Sequence, residues 1–172
     1  MRKISENWGK YYSTIMENIE NIIVPKEDMI TREEYLDMYL AVGMAIEVYN
    51  ILGRAMAEKV YQEAYQIEAF KRGIAMERER PLYLKYKDVT LTQTYNPDFF
   101  YRGLILEFKS VEEVMPVHRA QLLNYMRFSR QRRGILFNFG ETKLHTERYL
   151  YVPSQDRFVM LNKDNINFYV AQ

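Results

Sequence analysis

Three ionisable residues stand out by type and spacing. Asp98 follows Pro97 at the start of one apolar segment, and Glu107 and Lys109 sit two apart at the end of the next, Gly103-Leu104-Ile105-Leu106-Glu107-Phe108-Lys109. The run of large apolar residues predicts a buried strand, and side chains two apart on a strand share a face. Glu107 and Lys109 therefore point the same way. A carboxylate and an ammonium on such a strand are costly to bury unpaired, so the segment should open there onto solvent, a metal or a ligand. Two carboxylates beside a lysine can hold a hard divalent cation and act on charge that develops next to it. The same residues also read as a solvated strand end and a turn aspartate after proline.

Whether the three meet depends on the elements that carry them. Arg102-Gly103 reads as a tight turn, and pairing of the strands on either side, Pro97 to Tyr101 and Leu104 to Lys109, would bring Asp98 near Glu107 and Lys109. Upstream, Leu82-Tyr83-Leu84-Lys85-Tyr86 alternates with period two, and Val89-Thr90-Leu91-Thr92 follows a Lys87-Asp88 turn. These four strands are expected to form one antiparallel set.

Helices precede and follow them. Thr31 and Glu34 have capping-box spacing, and Ile30 can staple against Tyr35. The helix that starts there carries Leu36, Leu40, Gly43 and Ile46 on one face and should end near Gly53. A further helix is expected from about Ala55 to Arg72, closed by Gly73, with Glu58, Tyr61 and Tyr65 on one side. Pro116 opens another, with His118, Gln121 and Tyr125 on one side and Leu122, Leu123 and Met126 toward another. Arg127, Arg130, Arg132 and Arg133 close it, where cations suit a helix C-terminus and could hold a phosphate backbone. Strands are expected at Gly134 to Phe139, near Tyr149 to Val152, and at Phe158 to Leu161. At the other end, Ile4, Trp8, Tyr11, Ile15, Ile19 and Ile22 predict an amphipathic helix from Ile4 to Val24, stopped by Pro25. Its stripe packs either on the domain's own surface or on a second chain.

With 172 residues, 48% hydrophobic and 27% charged, the chain suits one domain with a sizeable core. A net charge of +1 excludes a global basic field, so any nucleic acid must be held by local patches. The absence of cysteine excludes disulfides and thiolate metal sites and leaves Asp and Glu as hard ligands. No apolar run has transmembrane length, and Met1-Arg2-Lys3 leads into a polar segment rather than a signal-peptide core, so a cytoplasmic protein is expected.

Pro97-Asp98 with Glu107-Phe108-Lys109 resembles the signature of the PD-(D/E)XK nuclease superfamily. Gln121-Leu122-Leu123-Asn124-Tyr125 resembles the Gln-x-x-x-Tyr of its RecB-type members, and Glu58-Lys59-Val60-Tyr61 the Glu-x-x-Tyr of the small subgroup called GxxExxY proteins. Val42 to Val48, Glu112-Glu113-Val114 with Pro116-Val117-His118, and Gly134 to Gly140 also read like that subgroup. The resemblance covers roughly Leu36 to Tyr151, and its one departure is that the subgroup's glycine falls at Ala55, with Gly53 the nearest.

The order of elements suggests an α/β sandwich with a mixed central sheet, and the resemblance implies the same: a restriction-endonuclease-like α/β fold over 34–172, its sheet flanked by helices, behind an N-terminal helical extension over 1–33. It also implies a Mg²⁺- or Mn²⁺-dependent nuclease acting on DNA, with RNA a further possible substrate, in defence or repair. Asp98 and Glu107 would hold the ion, with the Phe108 carbonyl and Glu58 as further ligands. Lys109 would orient the attacking water and stabilise developing charge, and Gln121 and Tyr125 would position the metal site or the substrate strand. Arg127, Arg130, Arg132, Arg133, His118 and Tyr61 are the expected nucleic-acid contacts. The alternative is a non-catalytic module that binds nucleic acid or a partner on the same fold, and a third reading is a metabolic or structural protein that shares it. The N-terminal helix is the expected surface for a homodimer or protein partner.

Overall fold

The computed structural model describes residues 22–171. Thr31 starts the first helix as its spacing to Glu34 predicts: its hydroxyl accepts the Glu34 N–H at 3.2 Å, and the Glu34 carboxylate accepts the Thr31 N–H at 2.8 Å. This helix, α1, spans Arg32–Leu52 and is capped by Gly53. After a short loop α2 runs over Glu58–Lys71, three residues later than expected at its start. Gly73, at φ 68°, ends it as predicted, its N–H and that of Ile74 taking up the Phe70 and Ala69 carbonyls.

Eight strands and one more helix follow: β1 (Glu77–Arg78), β2 (Leu82–Tyr86), β3 (Val89–Tyr95), β4 (Phe99–Tyr101), β5 (Leu104–Lys109), α3 (Pro116–Ser129), β6 (Arg133–Asn138), β7 (His145–Val152) and β8 (Arg157–Leu161). Six strands form one sheet in the order β1-β4-β5-β6-β7-β8, with β5 and β6 parallel and every other pair antiparallel. The single parallel pair needs a crossover, which α3 supplies. The expected single antiparallel set is corrected here: β2 and β3 pair only with each other, and the edge beside β4 is taken by β1. The alternation of β2 turns Leu82 and Leu84 inward, with Leu82 packed on the α3-side core, while β3 is exposed along most of its length.

Every residue of β5 and β6 is buried, since both faces of the sheet are covered. On one face α1 and α2 pack over Leu104, Leu106, Phe108, Ile135 and Phe137. On the other, α3 packs over Ile105, Leu136, Tyr149 and Tyr151. Helix α3 lies close over Gly134, where a Cβ would meet the Met126 sulfur and the methionine would have to shift. Gly140 is fixed more firmly, because a Cβ there would meet the backbone of Val111, just past β5.

The expected N-terminal helix lies outside the described residues except for 22–24, which are not helical. Val24 precedes a proline, which biases it toward extended backbone. Ile22 and Ile30 are buried in the core, Ile30 exchanges backbone bonds with Tyr169 and Ala171, and Asp28 accepts a bond from Ser154. Residues 22–33 thus pack with the rest of the described chain. Among the described residues no helix is long and apolar enough to cross a membrane.

Candidate active site

The β4–β5 hairpin builds the acidic pair. Its two-residue turn places Arg102 at φ 46° and Gly103 at φ 78°, both in the left-handed region that suits the twist of the flanking strands. The register set by that turn pairs Phe99 with Leu106, and one step further along puts Asp98 beside Glu107. Asp98 is held on both oxygens: Oδ2 accepts the Phe108 N–H at 2.6 Å and Oδ1 accepts Gln62 Nε2 at 2.8 Å. The N–H and C=O of one strand residue leave on the same side, so the Phe108 carbonyl is turned toward Asp98 as well. Gln62 is buried on α2, and its own carbonyl accepts Arg78 Nη2 at 3.0 Å, which fixes the amide with its NH₂ toward Asp98.

Glu107 is only 1% exposed. Its Oε1 accepts Lys109 Nζ at 2.7 Å and Gln121 Nε2 at 2.5 Å, while its Oε2 is buried with no hydrogen-bond partner in the protein. Gln121 Nε2 also reaches the Tyr125 hydroxyl at 3.0 Å, so the helix pair expected from sequence is turned onto Glu107. Burial raises the Glu107 carboxyl to about 8, with the Asp98 charge adding to it against the pull of Lys109. Burial likewise raises Asp98 to about 6, opposed by the Phe108 N–H and reinforced by Glu58. Burial works against the charge of Lys109, yet Glu107, Glu58 and Asp98 together carry its pKa above the ordinary lysine value. The Tyr125 hydroxyl is pushed up to about 12 by burial and the Glu107 charge. Glu58, half-buried, is raised by burial and drawn back by Lys109, so it lies within electrostatic reach of the same group.

Tyr61 is elsewhere, and its assignment as a nucleic-acid contact is corrected. Its ring is fully buried and stacks on Phe139 with centroids 4.3 Å apart. Its hydroxyl donates to the Gly53 carbonyl at 2.9 Å and accepts the Met56 N–H at 3.0 Å, tying together the loop that enters α2. The residue that shares the site-facing edge with Glu58 is its i+4 neighbour Gln62, whereas Tyr61 and Tyr65 form the core stripe one position round. That loop also explains the departure at Ala55, which sits at φ 65° where glycine is the favoured residue.

The expected basic patch is also corrected. Arg133 is buried, donates to the Glu34 and Arg102 carbonyls, and faces the Glu34 and Asp37 carboxylates at 3.5 and 3.6 Å. Arg132 donates to the Met29 carbonyl and to Glu34, each at 2.7 Å. Arg127 pairs with Asp156. Only Arg130 of the four is fully exposed, as the left-handed C-cap of α3. His118 stands at the other end of α3, where its Nδ1 accepts the Met115 N–H at 3.0 Å and burial, Lys109 and Arg119 hold its pKa below the usual histidine value.

Two further groups escaped the sequence reading. Glu107, Leu136 and Glu147 lie in one row across β5, β6 and β7. Glu147 accepts Arg119 from α3 on both oxygens, His145 at 2.9 Å and the Tyr149 hydroxyl at 2.7 Å; against burial, these bonds hold its carboxyl below the ordinary range. So α3 is fastened to the sheet at two carboxylates, Glu107 and Glu147. Asn138, fully buried, bonds both the N–H and the carbonyl of Val111 and so fixes the chain just beyond Lys109.

The donor set fits a hard divalent cation. The Asp98 charge adds to the raised pKa of Glu107, and Glu107 keeps one buried oxygen without a partner; a cation relieves both. Among the described residues no three His, Cys, Asp or Glu side chains converge as a ready-made cage. An ion that keeps several waters and takes one or two carboxylates needs no such cage.

A six-stranded mixed sheet, covered by helices on both faces and carrying two carboxylates and a lysine on one hairpin, is a restriction-endonuclease-like architecture. The family model of the PD-(D/E)XK nuclease superfamily matches residues 36–149, and the chain belongs to that superfamily. Among solved structures, the one titled "Crystal structure of SSO0001" is similar over 95% of this chain and 81% of that one, at 15% identity and a TM-score of 0.41. No curated protein sequence matches the chain.

Proposed function

We propose that the protein is a metal-dependent nuclease of the GxxExxY subgroup that hydrolyses phosphodiester bonds of DNA, acting in the cytoplasm in defence or repair. The observation that carries this reading is the buried Glu107 beside Asp98, with the Lys109 ammonium 2.7 Å from its carboxylate. Asp98 and Glu107 would hold Mg²⁺ or Mn²⁺, with the Phe108 carbonyl beside them. Such an ion, when bound, neutralises phosphate charge and lowers the pKa of a bound water. Gln62 and the Phe108 N–H fix the Asp98 carboxylate, so its orientation is set before an ion arrives. Lys109, kept cationic by its neighbours, is placed to donate to oxygen on which charge develops. Gln121 holds Glu107 from above, and Tyr125 holds Gln121.

Lys109→Gln separates these roles, because glutamine keeps an N–H donor for Glu107 and removes the cation. Purified protein is incubated with labelled duplex and single-stranded DNA and RNA under Mg²⁺, Mn²⁺ and chelator. The parent should cleave with metal only. Lys109→Gln should cleave more slowly by about 10²–10³, the usual cost of losing one transition-state donor, while its calorimetric metal affinity stays near the parent's. A variant that cleaves as fast as the parent removes Lys109 from the mechanism. A parent that binds nucleic acid but does not cleave it under any divalent ion makes the protein a binding module on the nuclease fold.

A further inference from the structure

The β2–β3 hairpin takes no part in the six-stranded sheet, yet it leads straight to the acidic pair. β3 ends at Tyr95, three residues before Asp98. The Tyr95 ring meets Tyr125 edge-on, with centroids 5.7 Å apart, and the Tyr125 hydroxyl holds the same Gln121 that bonds Glu107. The rest of the hairpin projects: Tyr83 is 63% and Tyr86 65% exposed. From Arg80 to Tyr95 the cations Arg80, Lys85 and Lys87 outnumber the single anion Asp88; Arg80 pairs with Glu77 at 3.2 Å, and Lys85 and Lys87 are left to the hairpin's exposed face.

At the base of the hairpin lies a cleft of about 370 Å³, bounded by Arg80, Leu82 and Tyr83, by Phe100 of β4, and by Phe128 and Gln131 at the end of α3. Phe100 is two residues after Asp98 and shares its side of the sheet, about 7 Å along the strand. The Arg80 guanidinium stands 4.5 Å above the Phe100 ring, and Phe128 is half exposed. The cleft is at the small end of ligand-site volumes and suits one planar ring, not a helix of paired bases.

Resting on the nuclease reading above, we propose that the hairpin and this cleft form an arm that holds an unpaired nucleic-acid strand on its way to the acidic pair. Bases stack on Tyr83 and enter the cleft against Phe100 and Phe128, and Lys85 and Lys87 follow the phosphates. Exposed aromatic rings between cations are a platform for unpaired bases, whose faces are free. In a duplex those faces are already stacked on one another and offer the rings nothing. The arm therefore selects single strands, or the unpaired parts of branched ones, with little regard for base sequence.

The test is binding of a short labelled oligonucleotide, single-stranded and as its duplex, to the full chain in chelator, so that cleavage does not intervene. The parent should bind the single strand at least about tenfold more tightly than the duplex, and Tyr83→Ala or Phe128→Ala should each weaken the single strand by about tenfold, the worth of one stacked base. Tyr83→Phe, which keeps the ring, should bind as the parent does, and Lys85→Ala with Lys87→Ala should flatten the salt dependence. Equal or tighter duplex binding overturns the proposal, as does unchanged single-strand binding by both alanine variants. So does a protein that binds no oligonucleotide but self-associates through Tyr83 in sedimentation, which assigns the hairpin to a second copy. Single-strand binding with this pattern, but without cleavage under any divalent ion, ends the nuclease reading and leaves the arm standing. Cleavage retained in full by hairpin variants that bind as the parent does the reverse.

Discussion

The loop that delivers Glu58 offers a quantitative check on the backbone reasoning. Ala55 holds φ 65°, where the Cβ of an L residue crowds the following carbonyl at a cost of about 1–2 kcal/mol. The residue is exposed, and its N–H makes one long bond to the Phe139 carbonyl, so Ala55→Gly removes the crowded Cβ and little else. Against that relief, glycine loosens the unfolded chain by about 0.4–1 kcal/mol. The balance is a gain of about 0.5–1 kcal/mol, or roughly 1–4 °C in Tm for a chain of this length. Gly53, two residues earlier, supplies the opposite sign. Its φ of 70° and ψ of −154° lie in a region essentially reserved for glycine, and no atom lies within 4 Å of where its Cβ would be. Gly53→Ala should therefore lose about 1–3 kcal/mol through the backbone alone. Calorimetric melts of both variants in chelator measure the pair. A lower Tm for Ala55→Gly, or an unchanged Tm for Gly53→Ala, would mean that the loop does not hold these angles.

Two further predictions concern the site. Gln62→Ala strips a hydrogen bond from a buried carboxylate, a loss of about 1.5–3 kcal/mol, so titration calorimetry should find metal affinity down by about tenfold or more; affinity equal to the parent's would take Gln62 out of the site. Asp98 and Glu107 both have folded pKa values raised above the ordinary carboxylate range, to about 6 and about 8. Each therefore contributes stability that is complete below the unfolded value and lost as pH rises through the folded one. The Tm of the metal-free protein should fall between about pH 4 and 8, Glu107→Gln should flatten that fall, and added Mg²⁺ should restore more stability at the upper end than at the lower. A Glu107→Gln profile as steep as the parent's would contradict the assignment.

Much of this was readable before the structure, for local reasons. The β4–β5 hairpin, the Thr31 capping box and the Gly73 stop each depend on residues within a few positions of one another, and all three are in place. What failed depended on distant partners. Arg132 and Arg133 look like a solvated basic run until α1 brings Glu34 and Asp37 against them, nearly a hundred residues away. Gln62 carries no signal by itself, because its meaning comes from Asp98 on one side and Arg78 on the other. Tyr61 was misplaced because residues three apart on a helix were read as one face, when the helix sits edge-on to the site and the i+4 neighbour is the one that reaches it. The hairpin β2–β3 carries the period of a sheet strand but packs on the α3 side through Leu82 instead of joining the central sheet, which alternation alone does not distinguish.

Asp98 and Glu107 lie on the two arms of one tight hairpin, and that has an evolutionary consequence. Their spacing is set by strand pairing across nine positions and by nothing else in the chain. Insertions and deletions outside the hairpin leave the pair intact, whereas lengthening the loop at Arg102-Gly103 would reset the register that the turn fixes. The acidic pair can thus descend as one compact unit. Glu58 and Gln62 arrive together on α2 and Gln121 on α3, so changes in either helix should collect around the pair rather than within it.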